Sequence, residues 1–262
     1  MADPTYTPPE VWTNTESGGQ FASINRPTAG AREERELPVG EHPFQLYSSA
    51  TPNGVKASVM LEELLEAGHD AEYDAWYIGI SDGDQFSSGF VDVNPNSKIP
   101  ALVDRSGPEP VRVFESGAIL LHLAEKDERL LPRDPQGRAS TISWLFAAYN
   151  SVEPMMFELG NVDIFARGEE WAKLRRPSLM EFAGQRLDRL ADALEGRDYL
   201  AGPFTIADIA MATVLREAVE AGLIAEQPRL QAYLDRCLAR PAFQRAMDAQ
   251  LAAFSEEAGP PA

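Results

Sequence analysis

The pattern of apolar and polar positions divides the chain into three parts. Residues 1–42 are rich in Pro, Gly, Thr and Glu and show no apolar periodicity, as expected for an extended N-terminal arm. Residues 43–131 alternate short apolar runs with amphipathic stretches, whereas residues 138–254 carry helical patterns alone. The sequence therefore predicts an α/β domain followed by an all-α domain. Two interpretations of the arm remain open: a disordered tail, or a segment that wraps a neighbouring subunit.

The α/β part predicts a small mixed sheet packed by helices. Its expected strands are "PFQLYS", "AEYDAWYI", "IPALVD" and "PVRVFE". Its expected helices are "GVKASVMLEELLEAG", a short one near Phe86–Val91, and "SGAILLHLAEKD". Gly68 suits the end of the first helix, and the hydroxyl of Ser116 suits the N-cap of the last. The expected order is β-α-β-α-β-β-α.

Five amphipathic stretches after the turn-rich linker "RLLPRDPQGR" predict the helices of the second domain. They are "ASTISWLFAAYNSVEPMMFEL", "SLMEFAGQRLDRLADALEG", "TIADIAMATVLREAVEAG", "PRLQAYLDRCLAR" and "PAFQRAMDAQLAAF". Within the third stretch, Thr205 and Asp208 have the spacing of a capping box. We interpret this pair as a folding signal with no chemical role.

Acidic residues outnumber basic ones by 41 to 23, which gives a net charge of −18. This charge argues against binding to nucleic acid and against docking on anionic membranes. It would also repel a small anionic ligand at long range, so any anion site has to be built from local donors.

Cysteine and histidine usage narrows the possible chemistry. Cys237 is the only cysteine, so an internal disulfide framework is impossible, and a reducing cytoplasm is the expected compartment. His42, His69 and His122 are scattered and, together with Cys237, show no metal-ligand spacing, so we expect no metal. No apolar run approaches the length of a membrane span, and "MADPTYTPPEVW" lacks the features of a signal peptide.

Three stretches carry a resemblance to a known family. "NPNSKIPAL", "VFESGAILLHLAEK" and "YLAGPFTIADIAM" resemble the glutathione transferase superfamily, in which a thioredoxin-like domain precedes a helical one. The resemblance covers roughly residues 43–250. The turn "TPNG" and the loop "SDGDQFSSGF" are similar to the bacterial nu class, whose members act on disulfides. The acidic chain also resembles sphingomonad members that remove glutathione from aromatic thioethers during lignin β-aryl ether breakdown.

The resemblance places part of a glutathione site at "SKIP". It implies a cis peptide bond between Ile99 and Pro100, with the backbone of Ile99 pairing with the cysteinyl part of glutathione as an added strand would. Lys98 would approach the glycyl carboxylate. Without the resemblance, a trans strand entry and a solvated lysine would be the simpler interpretation.

The segment "FESGA" is implied to bind the other end of glutathione. The γ-glutamyl carboxylate would take the Ser116 hydroxyl and a backbone N–H at the helix start, and Glu115 would receive the ammonium. A serine N-cap without any ligand is the alternative. The resemblance also assigns Gln85 to glutathione, and it places a carboxylate-binding arginine near residues 178–179, for which Arg176 is the candidate.

Thr51 and Asn53 are the residues expected to act on the glutathione sulfur. A free thiol has a pKa of about 8.5, so only ~3% is thiolate at pH 7. Hydrogen bonds to charged groups contribute roughly 1.5–3 kcal/mol each, so two donors near a helix N-terminus suffice to favour the thiolate. Neither side chain can attack sulfur, and both are interpreted as polarising groups. A purely local role for Thr-Pro-Asn-Gly, as a turn and helix start, does not conflict with this.

Three functions from different classes follow. The first is a glutathione-dependent oxidoreductase that acts on disulfides or glutathione thioethers, with two glutathione molecules per site and no protein cysteine. The second is a transferase that conjugates glutathione to electrophiles. The third is a binding protein that has kept the transferase fold without catalysis. The superfamily further implies a homodimer.

Overall fold

The computed structural model describes residues 30–257, and its first domain is a four-stranded mixed sheet in the order β2-β1-β3-β4. The first two strands pair in parallel, and β3 runs antiparallel to both of its neighbours. The predicted order of elements and the α/β-plus-α architecture are confirmed. The strands are β1 (Phe44–Ser48), β2 (Tyr73–Tyr77), β3 (Ala101–Asp104) and β4 (Val111–Phe114).

Three helices pack on this sheet: α1 (Pro52–Glu66), α2 (Ser88–Val93) and α3 (Ser116–Ala124). A short 3₁₀ turn over Asp84–Phe86 precedes α2, so this helix begins two residues later than expected. Helix α1 ends as the sequence indicates, because Gly68 adopts φ 81° just beyond its last turn, a conformation that glycine reaches without strain.

The predicted N-cap of α3 is wrong. Ser116 is the first residue of the helix, and the N-cap position belongs to Glu115, whose φ is 69°. A hydroxyl one residue inside the helix does not cap it in the usual way. The Ser116 side chain instead lies buried against Asn53 and Tyr149, so tertiary contacts decide its role.

The second domain is entirely helical over the described residues. One predicted helix over residues 139–159 is in fact two helices, separated by a π-helical turn at Ala148–Val152, and a second π-helical turn covers Asn161–Phe165. The helices are α4 (Pro135–Ala147), α5 (Glu153–Gly160), α6 (Glu170–Ala193), α7 (Ile206–Glu220), α8 (Pro228–Leu238) and α9 (Pro241–Glu257).

Helix α7 lies at the centre of this domain. All of its first ten residues are buried, and the predicted capping box is present at its start. Asp208 also accepts hydrogen bonds from the Leu200 N–H and the Tyr233 hydroxyl, so it joins three segments. Helix α1 packs against both α7 and α9 and thereby connects the two domains.

Residues 30–42 are the described part of the N-terminal arm. Residues 32–35 run beside the segment 84–89, where the Arg35 guanidinium pairs with Asp84 at 2.6 Å. This part of the arm therefore packs on its own domain, whereas the predictions for residues 1–29 lie outside the described residues. Within the described part of the chain, every helix is too short or too polar to cross a bilayer.

Candidate functional site

A cleft of about 860 Å³ lies between the two domains. Its floor comes from the start of α1 and the loops before β3, and its far wall comes from α5, the following π-helical turn and the end of α7. Five residues selected from the sequence line it together: Thr51, Asn53, Gln85, Lys98 and Ile99. This volume falls in the range usual for small-molecule sites.

The turn from β1 into α1 presents Thr51 to the cleft. The Thr51 hydroxyl oxygen accepts the N–H of Gly54 at 3.2 Å and caps the helix, which leaves its own proton to donate elsewhere. Gly54 is required here, because a Cβ would come within 2.1 Å of the Ser49 carbonyl oxygen. The local role and the proposed chemical role of Thr51 are therefore compatible.

Asn53 has its carbonyl end committed to the protein interior. Its Oδ1 accepts hydrogen bonds from Lys56 Nζ at 2.7 Å and from Ser116 Oγ at 3.1 Å. Because these two donors use both lone pairs of the oxygen, the amide nitrogen is the polar end that remains for the cleft.

Lys56, which the sequence interpretation missed, is completely buried. Its ammonium pairs with Glu153 Oε1 at 2.6 Å and lies 4.3 Å from the ring centre of Tyr149. Burial lowers the pKa of Lys56, and the charge of Glu153 opposes that change. The available signal was a lysine on the apolar face of an amphipathic helix, where a charged side chain needs a partner.

The loop before β3 contributes backbone and buried polar atoms. The Ile99–Pro100 peptide bond is cis, as the resemblance implied. The Ser97 hydroxyl and Gln85 Oε1 are buried and have no hydrogen-bond partner among the described residues. Gln85 Nε2 donates to the Ile80 carbonyl oxygen at 3.1 Å, so its second N–H and its carbonyl oxygen are the groups left for a ligand. Unpaired buried groups of this kind fit a polar ligand in the cleft.

Glu115 and Ser116 lie next to the cleft rather than in its lining. Glu115 is exposed, and its Oε1 accepts from Asn96 Nδ2 at 3.2 Å. The Ser116 hydroxyl is shared between Asn53 and Tyr149, at 3.1 and 3.0 Å. A carboxylate ligand would have to compete for this hydroxyl, whereas the backbone N–H groups of the first turn of α3 face no such competition.

Arg176 is not brought together with the other predicted residues. Its guanidinium pairs with both carboxylate oxygens of Asp163, at 2.6 and 3.0 Å. It lines a separate cavity of about 440 Å³, together with Arg167 and Lys173, that adjoins the main cleft at Asp163.

The far wall of the cleft combines apolar and acidic side chains. Glu217 reaches the cleft from α7, and burial together with the charge of Glu153 raises its pKa to about 7, while Lys56 opposes the rise. The apolar members of this wall are Pro154, Met156, Phe157, Leu159, Ile164 and Phe165.

Cys237 lies outside the cleft. It is completely buried in the helical domain, and burial raises the pKa of its thiol. Among the described residues, no group of histidine, cysteine and carboxylate side chains is arranged to hold a metal ion.

Comparison with known families agrees with this architecture. The model of the Glutathione S-transferase N-terminal domain matches residues 42–125, and the model of the Glutathione S-transferase C-terminal domain matches residues 175–241. The chain therefore belongs to the glutathione transferase family, and the predicted thioredoxin-like first domain is confirmed.

Individual relatives show which members of the family this chain resembles. The disulfide-bond oxidoreductase YghU of Escherichia coli is 50% identical over 214 residues, which are 80% of this chain and 74% of that protein. A crystal structure of glutathione transferase YghU from Streptococcus pneumoniae, complexed with glutathione, has a TM-score of 0.82 and 41% identity, over 93% of this chain and 97% of that one. A glutathione transferase from Burkholderia graminis with two glutathione molecules bound per subunit has a TM-score of 0.73 and 39% identity, over 79% and 88% of the two chains.

Proposed function

We propose that this chain is a glutathione-dependent oxidoreductase that reduces disulfides with the thiolate of a bound glutathione. The observation that carries the proposal is the start of α1, where the Thr51 hydroxyl and the Asn53 amide nitrogen remain as donors toward the cleft. The chain has no cysteine there, and Cys237 is buried elsewhere. The reactive sulfur therefore has to come from the ligand.

Each part of glutathione finds a chemical counterpart around the cleft. The backbone of Ile99 is suited to pair with the cysteinyl unit, and Gln85 has an unpaired acceptor and a spare N–H for the peptide. The N-terminus of α3 favours the γ-glutamyl carboxylate, and the exposed carboxylate of Glu115 can receive the ammonium. Lys98 supplies a positive charge for the glycyl carboxylate.

The donors at the start of α1 are strong enough to produce a thiolate. Lowering the thiol pKa from about 8.5 by two units requires ~2.7 kcal/mol of preferential stabilisation. Two hydrogen bonds to the charged sulfur, at roughly 1.5–3 kcal/mol each, supply that amount. No protein nucleophile is needed.

The reaction is a pair of thiol–disulfide exchanges. The bound thiolate attacks one sulfur of the substrate disulfide, which forms a mixed disulfide and releases the first substrate thiolate. A second glutathione thiolate then attacks the glutathione sulfur of the mixed disulfide, and glutathione disulfide and the second substrate thiolate leave. Two glutathione molecules are oxidised for each disulfide reduced. The relative with two glutathione molecules per subunit supports this stoichiometry.

The test compares reduction of hydroxyethyl disulfide, coupled to glutathione reductase, with conjugation of a chloronitrobenzene. We expect robust disulfide turnover that falls about 10- to 100-fold in Thr51→Ala and in Asn53→Ala. The matched control Asn150→Ala removes an exposed amide outside the cleft lining and leaves the rate unchanged. Conjugation without disulfide turnover would favour the ordinary transferase, and glutathione binding with neither activity would favour a binding protein. Full disulfide turnover in both alanine variants would reject the roles proposed for Thr51 and Asn53.

A second candidate is cleavage of glutathione thioethers with an aromatic group, as in the sphingomonad members of the nu class. The apolar wall around Phe157, Ile164 and Phe165 favours it, because an aromatic ring can pack there. A glutathione thiolate would attack the thioether sulfur of an α-thioether ketone, and the released enolate would take a proton, giving the ketone and glutathione disulfide. Release of ketone from a synthetic aromatic thioether supports this activity, and no release with active disulfide turnover rejects it.

We also propose a cytoplasmic homodimer, as is typical of this family. The support is the family membership and the reducing environment that the glutathione chemistry requires. Light scattering at micromolar concentration is expected to give twice the chain mass of 28.7 kDa. A monomer mass would reject the dimer without affecting the chemistry.

A further inference from the structure

Lys56 is an unusual residue to find fully buried, because a lysine is almost never buried without partners. Its ammonium bonds Asn53 Oδ1 at 2.7 Å and Glu153 Oε1 at 2.6 Å, and it stands over the Tyr149 ring. Of these three partners, only Asn53 lies at the start of α1, where it lines the cleft. The burial of Lys56 is thus tied directly to a residue that faces the reacting sulfur.

The bond from Lys56 determines which end of the Asn53 amide faces inward. An ammonium group can only donate hydrogen bonds. It therefore pairs with the carbonyl oxygen of the Asn53 amide and not with the amide nitrogen, which is itself a donor. The Ser116 hydroxyl, the other contact of Asn53 Oδ1, can donate or accept and therefore does not discriminate. Without Lys56, the amide could turn and present its oxygen to a thiolate, which would be repulsive.

We propose that Lys56 is a positioning residue that holds Asn53 Oδ1 inward, so that Asn53 Nδ2 faces the sulfur of bound glutathione. This inference rests on the proposed function. Glu153, which lies 97 residues further along the chain on α5, holds Lys56 in turn. The orientation of a donor in the first domain therefore depends on a carboxylate of the helical domain.

The charge of Lys56 is not itself the source of thiolate stabilisation in this account. Glu153 neutralises it at contact distance, and Glu217 adds a further carboxyl to the same surroundings from α7. The groups that face Lys56 are thus Asn53 and Tyr149 as neutral partners and two carboxyl groups. Lys56 fixes the orientation of the Asn53 amide. Replacing Lys56 should therefore have no further effect on thiolate stabilisation once the Asn53 amide has been removed.

A double-mutant cycle tests this dependence. We expect Lys56→Met to lower kcat/KM for hydroxyethyl disulfide about 10- to 100-fold, with the loss mainly in kcat, and Asn53→Ala to do the same. The double variant is expected to match Asn53→Ala alone. Thiolate absorbance at 240 nm should show the pKa of bound glutathione rising in Lys56→Met, with no further rise when it is added to Asn53→Ala.

If the role of Lys56 is purely structural, the losses in kcat/KM of the two single variants will multiply in the double variant. That result would overturn the inference. Lys56→Gln is the second variant, since it keeps a donor for Asn53 Oδ1. We expect it to lose less activity than Lys56→Met, and none in the Asn53→Ala background. If Lys56→Met does not fold, equal losses from Lys56→Gln in both backgrounds would likewise overturn the inference. Absence of disulfide turnover in the wild-type chain would instead reject the proposed function.

Discussion

Glu217 shows how the cleft changes the chemistry of a single residue. Its raised pKa of about 7 means that the folded protein holds a proton there between pH 4.5 and 7 that the unfolded chain has lost. The protonated side chain of Glu217 therefore contributes fully to the free energy of unfolding below pH 4.5, and this contribution is lost as the pH rises from 4.5 through 7.

We expect Glu217→Gln to remove this pH dependence. The variant should match the wild type near pH 5 and exceed it by about 1 kcal/mol at pH 8, a value reduced for the partial exposure of the side chain. Urea unfolding at the two pH values measures the difference. Glu128→Gln removes an exposed carboxylate outside the cleft and is the matched control. An equal change in the free energy of unfolding between pH 5 and pH 8 for the wild type and Glu217→Gln would contradict the raised pKa.

The sequence predicted the site residues that belong to a local motif. It failed for residues whose role depends on a contact with a residue far away in the chain. Thr51, Asn53 and Ile99 do line one cleft, although their roles remain predictions. Lys56 was missed because its significance depends on Glu153 across the domain boundary. Arg176 is predicted from the family resemblance alone; the structure pairs it with Asp163, which lines the cleft, whereas Arg176 itself does not.

At the scale of elements, Asp208 does more than its capping-box spacing indicates. It is completely buried and accepts from the Leu200 and Thr205 N–H groups and from the Tyr233 hydroxyl at 2.9–3.0 Å. Removing it leaves several buried donors without an acceptor, each costing roughly 1–3 kcal/mol.

We therefore expect Asp208→Ala to destabilise the protein by about 3 kcal/mol or more, and Asp208→Asn by roughly half as much. Thermal unfolding monitored by circular dichroism measures both. Asp235→Ala is the control, because that carboxylate is exposed and accepts a single side-chain bond from Gln231. Equal melting temperatures for Asp208→Ala and Asp235→Ala would contradict the structural role.

Two prolines show the limit of predicting elements from sequence. Pro154 lies inside the predicted helix over 139–159, and the chain breaks there into a π-helical turn and a new helix, as a missing N–H favours. The second predicted helix of the helical domain begins at Ser178, directly after Pro177, yet α6 runs through this proline from Glu170. Ala172 in the first turn of α6 is buried, so packing against the rest of the domain favours a helix that starts ahead of the proline.

At the scale of the whole molecule, the cleft exists only because the two domains pack together. Its floor comes from residues before 100 and its far wall from residues after 148, so no local pattern could define it. The net charge of −18 bears on the proposed ligand. An anionic tripeptide would have to be bound by local groups, namely hydroxyls, amides, a helix end and Lys98, rather than by the electrostatic field of the whole protein.

The central claim is that the reactive sulfur belongs to bound glutathione and that the protein supplies only the groups around it. The most direct measurement is the rate of glutathione-dependent disulfide reduction by Cys237→Ala, a chain without any thiol. We predict a kcat/KM within about twofold of the wild type, since this position lies outside the cleft. Loss of turnover in a variant whose circular dichroism shows a folded protein would contradict the account.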